Sequence, residues 1–283
     1  MNTIAAAGKS ATSERFRREL SAKRVIIGFL VAGIGIASIF NDVSFAIVIT
    51  AIAVIGATEF SNLARRAGAE VALPIAVAAC AAYPLLAYVH LLARYESALI
   101  VIIVLASFAA SMSAQLERFA GRAAMTVLAT LYLGKLLTYF IILHQQPDGA
   151  RLTLWLVVIV ALTDIVGMMA GLGFGHHPLA PKLSPSKTQE GAVAALVVAT
   201  FVGAAMWWIM RLHGPWWLAF AFPLSVSVAA EFGDLVESAL KRNAHVKDSG
   251  QLIAGHGGVL DRFDSYIFAG VVGYTVLLAA GAL

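Results

Sequence analysis

Nine apolar stretches recur along this chain of 283 residues, and they constrain its architecture more than any other feature. They run over 25–40, 44–60, 72–93, 98–115, 123–143, 153–173, 192–211, 214–232 and 265–283. A helix that crosses a bilayer needs about 20 largely apolar residues. Most of these stretches reach that length, and the first borrows from its flanks. Composition agrees, because 60% of residues are hydrophobic and only 13% are charged, against roughly 25% charged in a soluble domain. The expected fold is an all-α integral membrane protein of about nine transmembrane helices. It forms one polytopic domain over 25–283, preceded by a basic tail over 1–24. The first apolar run is too long for a signal-peptide core and is read as an uncleaved span. The lone Cys80 lies inside an apolar run, which leaves no disulfide framework and no cysteine-based metal site.

The net charge of +4 is informative through its distribution. Sixteen Lys and Arg fall in the N-terminal tail and in 61–71, 116–122, 174–191 and 233–264. The alternate connections hold only Arg94, Arg151 and Arg211, and Lys135 sits within a span. Cytoplasmic loops carry such a cationic excess. The expectation is therefore a cytoplasmic N-terminus, an external C-terminus and polar loops facing the cytoplasm. Residues 13–24 suit either a short interfacial helix or a solvated basic tail near anionic lipid. No nucleic-acid partner is expected.

Three polar clusters interrupt the hydrocarbon. Asp164 lies in the sixth stretch, where a carboxylate costs roughly 2.5–3.5 kcal/mol at the helix centre and usually faces a polar cavity or a partner. Lys135 in the fifth stretch either pairs with Asp164 or snorkels. The loop 173–191 contains Pro178, Pro181 and Pro185, which exclude a helix through its middle. Ser184, Ser186, Thr188, Lys182 and Lys187 there offer hydroxyl and ammonium donors just before the seventh stretch, a setting that suits phosphate. His176 and His177 are adjacent, and adjacent residues seldom converge on one ion.

The third cluster, Glu231–Ser265, holds six of the chain's sixteen carboxylates: Glu231, Asp234, Glu237, Asp248, Asp261 and Asp264. If 231–242 continues the eighth stretch as a helix, Asp234, Ser238 and Lys241 share one face, flanked by Glu237 and Arg242. Beyond Lys247 and Asp248, the run Gly255-His256-Gly257-Gly258 lets backbone approach a ligand closely. A new helix starting near Val259 places Asp261 and Asp264 on one side, with Arg262 beside them. Carboxylate and hydroxyl oxygens suit a hard cation such as Mg²⁺, while Lys and Arg suit phosphate. The combination reads as metal-assisted phosphoryl transfer at a cytoplasmic interface.

Ser238-x-Leu240-Lys241-Arg242, then Lys247-Asp248, then His256-Gly257-Gly258-Val259-Leu260-Asp261-Arg262-Phe263-Asp264 resembles the signature of the phosphatidate cytidylyltransferase (CDP-diacylglycerol synthase) family. Asp164 matches the acid of that family's sixth-span motif, and Ser184–Gly191 resembles its SPKKTxEG segment. The resemblance covers about 160–265, the expected catalytic region. It implies conversion of CTP and phosphatidate to CDP-diacylglycerol and pyrophosphate in phospholipid biosynthesis. It also implies Mg²⁺, with a second cation and a homodimer as further expectations, in a bacterial inner membrane with membrane lipid around it. The site residues that follow are Asp234, Ser238, Asp261 and Asp264 for metal. Lys241, Arg242, Lys247, Asp248, His256 and Arg262 would serve catalysis. Asp164, Ser184, Lys187, Thr188, Gly257 and Gly258 would serve substrate binding.

The sequence departs from that pattern after Asp164. Ala-Tyr is replaced by Gly167-Met168, a common Gly-Arg by Gly171-Leu172, and basic residues after Phe174-Gly175 by His176-His177-Pro178. Ala254 stands where Pro or Gly is usual. The acid positions are intact, so nucleotidyl transfer is expected, while the acceptor stays open between phosphatidate and another lipid phosphate. The competing class is a transporter for a small ion or anion that uses Asp164 and Lys135. Polar residues crowded at one face, instead of tracing a path through all depths, argue against it.

Overall fold

The computed structural model describes residues 22–112, 114, 116–250, 252 and 257–283. His256 and the basic tail before Ala22 lie outside the described residues. Nine helices occur among the described residues, one for each apolar stretch. They are α1 (Ala22–Ser38), α2 (Asp42–Arg66), α3 (Leu73–Tyr88), α4 (Leu92–Ser111), α5 (Leu116–His144), α6 (Gly149–Phe174), α7 (Gln189–Ile209), α8 (Leu218–Asn243) and α9 (Leu260–Ala279). Six of them, α2 and α4 to α8, are long and apolar enough to cross a membrane; α3 is apolar but shorter. The sequence predicts no strand, yet β1 (Pro178–Ala180) and β2 (Ser184–Thr188) form an antiparallel hairpin between α6 and α7. Proline is tolerated there because each strand has a single partner, so its missing N–H breaks no central ladder.

The C-terminal helices pack on one another, α6 on α7 and α8 on both α7 and α9, while α2, α3 and α5 form a second group that meets them through α5 and α9. Lipid offers helices no hydrophobic drive to associate, so small residues that allow close approach matter more than in water. A Cβ at Gly270 of α9 would lie 2.6 Å from Phe140 of α5, and one at Gly203 of α7 would lie 2.6 Å from Pro223 of α8. By contrast, Val101, Ile102, Leu105 and Phe108 of α4 are exposed, as suits side chains that face hydrocarbon.

The fifth helix widens into a π turn over Thr130–Lys135. Lys135 does not pair with Asp164, the first of the two courses expected from the sequence. Its ammonium pairs with Glu96 at the start of α4 and lies 5.4 Å from the Tyr139 ring centroid. A half-buried ammonium gains from a counter-charge, and a carboxylate of α4 supplies it.

Trp155 organises the interior where α6, α7 and α8 meet. It has no exposed surface, stacks on Phe222 at 4.1 Å, and donates from Nε1 to Gly203 O at 2.8 Å. Trp155→Ala therefore removes both packing and the partner of a buried carbonyl. It is expected to destabilise the fold by about 3–5 kcal/mol, measurable by thermal denaturation in detergent.

Candidate active site

The acids converge because α8 outruns its apolar part. Residues 231–243 stay helical, ending on Lys241 and Arg242, where cations favour a helix C-terminus. Gly233 lets α9 press against this segment: a Cβ there would lie 2.5 Å from the Asp264 carbonyl oxygen and 3.1 Å from Ser265 Cα. That contact sets Asp264 of α9 beside Asp234 and Glu237 of α8. One ligand oxygen from each of the three lies within 4.8 Å of the others.

Glu237 has no exposed surface and pairs with Lys241 one turn on. Beyond that ion pair its oxygens accept no hydrogen bond from the described residues. Buried carboxylates normally find partners, and three acids at this spacing repel one another unless a cation joins them. The donor set is all oxygen, which suits a hard divalent cation such as Mg²⁺. The residues present thus fit such an ion.

Asp261 lies against the same cavity but is occupied otherwise. Its Oδ1 accepts from Lys241 Nζ at 2.9 Å. Its Oδ2 accepts from Ser249 N at 2.9 Å, Ser249 Oγ at 2.9 Å and Gly258 N at 2.7 Å. Gly257 has φ +85°, a left-handed conformation that a side chain would strain, and with Gly258 it makes the turn into α9. Ser238, expected among the metal ligands, donates to Asp234 Oδ1 at 3.4 Å.

The hairpin supplies the cation facing these acids. Thr188 caps α7, its Oγ1 accepting from Gly191 N at 3.1 Å. Glu190 reaches back from the first turn of α7 to accept from the His176 and His177 backbone N–H at 3.1 and 3.2 Å, and meets His177 Nδ1 at 2.5 Å. So anchored, β2 aims Lys187 at Glu231 (2.6 Å) and Asp234 (2.7 Å). Burial alone would lower the Lys187 pKa, but Asp234 and Glu231 outweigh it and hold the ammonium above the usual lysine value.

One cavity of about 330 Å³ collects Asp164, Glu231, Asp234, Asp261 and Asp264 with Lys187, Lys241 and Arg262, and with Ser184, Ser186, Thr188 and Ser265. Asp164 meets Ser265 Oγ of α9 at 3.3 Å, so its partner is a hydroxyl and not Lys135. Met168 and Leu172, two of the departures after Asp164, line the same wall. A second cavity of about 470 Å³, between α1, α2, α5, α6 and α9, has mostly apolar walls, and Asp164 and Arg262 line it too. The two cavities therefore meet at these two side chains.

The remaining expected residues sit elsewhere. Arg242 donates from Nε to Leu183 O at 3.1 Å and so steadies the hairpin turn. Lys247 and Asp248 line a separate cavity of about 560 Å³ with Arg65 and Arg66 of α2. Sequence reasoning placed Glu237 only at the flank of the acidic face and passed over Glu59 altogether. Glu59, on α2, is 5% exposed and accepts from Val259 N at 2.9 Å and Leu260 N at 2.7 Å, with Ser249 Oγ, which donates to Asp261, 3.3 Å away. An acid at the end of an apolar run was the available signal, the same one that marks Asp164.

Removing the Lys187 charge leaves Glu231 and Asp234 facing each other with little water. Lys187→Met is expected to lower stability by about 3 kcal/mol at pH 7. The folded pKa is raised, so wild-type stabilisation from this group is complete below the unfolded value of 10.5 and fades as pH climbs through the folded one. Denaturation of both proteins from pH 7 to 11 should therefore bring their stabilities together only at the alkaline end.

Two comparisons identify the lineage. The Cytidylyltransferase family matches residues 22–280, nearly the whole chain. A phosphatidate cytidylyltransferase of Staphylococcus epidermidis is 38% identical over 146 residues, which is 52% of this chain and 55% of that protein. One of Bacillus subtilis is 39% identical over 142 residues, 50% of this chain and 53% of that protein. The match thus spans about half the length of these curated relatives. With an acid cluster and basic side chains in one cavity, and a family match running from α1 to α9, this chain belongs to the cytidylyltransferase family.

Proposed function

We propose that this chain is a membrane phosphatidate cytidylyltransferase, which converts CTP and phosphatidate to CDP-diacylglycerol and pyrophosphate. The observation that supports this most is the meeting of a charged cavity with an apolar one at Asp164 and Arg262. A lipid phosphate has this duality: its head group needs cations and its acyl chains need hydrocarbon. The named activity of the staphylococcal and Bacillus relatives points the same way.

The chemistry needs no general base. A phosphate monoester has a second pKa of about 6 and is largely dianionic at pH 7. Its oxygen attacks the α-phosphorus of CTP, the new P–O bond forms, and the bond to the β-phosphate breaks to release pyrophosphate. The protein's task is to hold two polyanions together in line and to stabilise the leaving group. Five carboxyl groups share the cavity with three cationic side chains, so a counter-ion among the acids would ease the approach of polyphosphate. Asp234, Glu237 and Asp264 would hold a divalent cation, which neutralises phosphate charge when bound. Lys241 and Arg262 meet phosphate oxygens, Lys187 keeps Glu231 and Asp234 in place, and Ser184, Ser186 and Thr188 offer hydroxyl donors along the hairpin wall. Met168 and Leu172 make the neighbouring wall apolar, which favours a second reading in which the acceptor is a different lipid phosphate.

All nine helices cross the membrane in this reading, with the N-terminus and the site on the cytoplasmic side of a bacterial inner membrane. Cysteines introduced at the exposed positions Arg66 and His213 should then be labelled by an impermeant maleimide from opposite sides, since native Cys80 is buried. Labelling of both from one side overturns the topology.

Turnover is tested with labelled CTP, Mg²⁺ and a panel of lipid phosphates. A CDP-lipid should form, EDTA should abolish it, and Asp264→Asn should lower kcat by about 100-fold or more. Ion flux across sealed vesicles without CTP turnover overturns the enzyme reading, and full activity in Asp264→Asn overturns the cation assignment.

A further inference from the structure

The N-terminal half carries no catalytic motif, yet one of its side chains reaches the loop that leads into the acid cluster. Helix α9 lacks a side-chain cap of its own: Val259, at its N-cap position, offers no acceptor. The open N–H groups of its first turn are filled by two carboxylates. Gly258 N donates to Asp261, while Val259 N and Leu260 N donate to the two oxygens of Glu59. Glu59 belongs to α2 and lies 200 residues away in sequence from Val259. Ser249 Oγ lies 3.3 Å from it, and Ser249 in turn holds Asp261 through its backbone N–H and hydroxyl.

The fit is close on all sides. A Cβ at Gly258 would collide with Glu59 Oε2 and Ser249 Oγ, and a Cβ at Gly250 would collide with Glu59 Oε1. Two loop glycines thus make room for one buried carboxylate. A negative group at this place also opposes the positive end of the α9 dipole.

We infer that Glu59 is a positioning residue for the cation-holding cluster: by clamping Val259 and Leu260 it sets where α9 begins, and so where Asp261 and Asp264 stand relative to α8. The inference rests on the cation role proposed for Asp234, Glu237 and Asp264. Glu59 touches no reacting atom and acts through the backbone it holds. Glutamine is nearly isosteric but turns one of the two acceptors into a donor, which would then face an N–H of Val259 or Leu260.

The test is Mn²⁺ binding to the purified full-length chain in detergent. It is followed by electron paramagnetic resonance and expressed per folded molecule from the thermal unfolding amplitude. Mn²⁺ reports on an all-oxygen site without requiring turnover. Glu59→Gln is expected to weaken Mn²⁺ binding by about 10–100-fold, the range typical of lost outer-shell partners, and Asp264→Asn to weaken it at least as much. Gly258→Ala, which pushes the carboxylate away from the opposite side, should reproduce the Glu59→Gln loss and serves if that variant fails to fold. Wild-type affinity in Glu59→Gln or Gly258→Ala, with binding lost in Asp264→Asn, overturns the positioning role alone. A wild-type chain that binds no Mn²⁺ overturns both this inference and the cation reading beneath it.

Discussion

Like charges do not gather at a hydrocarbon boundary unless something compels them, and here the compelling contact is backbone against backbone. Gly233 of α8 admits the carbonyl of Asp264 so closely that any side chain would exclude it. From that touch the cluster of Asp234, Glu237 and Asp264 follows, and so does the arrangement of cations around it. Lys241 answers Glu237 and Asp261, while Lys187 answers Glu231 and Asp234. Each ammonium bridges two acids, so the repulsion is shared out and not left on one pair. A buried acid without such a partner would simply take up a proton.

Holding that contact in place requires the rest of the bundle. The hairpin between α6 and α7 turns a flexible donor-rich loop into a fixed arm, tied at one end by Glu190 and at the other by Arg242. On the far side, Glu59 fills the open N–H groups of α9. The Trp155–Phe222 stack keeps α6, α7 and α8 in register beneath the cavity. The polar chemistry is thus confined to one end of the bundle, with lipid-like packing below it. A lipid phosphate needs the same division, because its two parts belong to different solvents.

Much of the site was legible in the chain. Asp164, Lys187, Asp234, Lys241, Asp261 and Asp264 stand out because charge in an apolar chain is costly and so demands a reason. The cavity collects all of them. Arg242 and Lys247, which the family resemblance implies for catalysis, face the hairpin turn and a different cavity. Charge alone says that a residue needs water or a partner, without saying which. Ser238 and Glu237 show the limit of helical spacing. The i, i+4 rule groups Asp234 with Ser238 on one face, but the facing helix arrives on the Glu237 side, and that approach is set by Gly233.

What the sequence determined by itself is the number of helices, their order, and the acids, bases and hydroxyls that gather in the candidate site. Those follow from local rules, namely apolar run length, proline and glycine punctuation, and the expense of intramembrane charge. Only the tertiary structure decided the partners. Lys135 belongs with Glu96, Asp164 with Ser265, and Glu59 with the start of α9. These pairs join residues 39, 101 and 201 positions apart. No local periodicity reaches so far. The pairs exist because neighbouring helices pack where they do, and where they cross is a property of packed surfaces and not of any one segment.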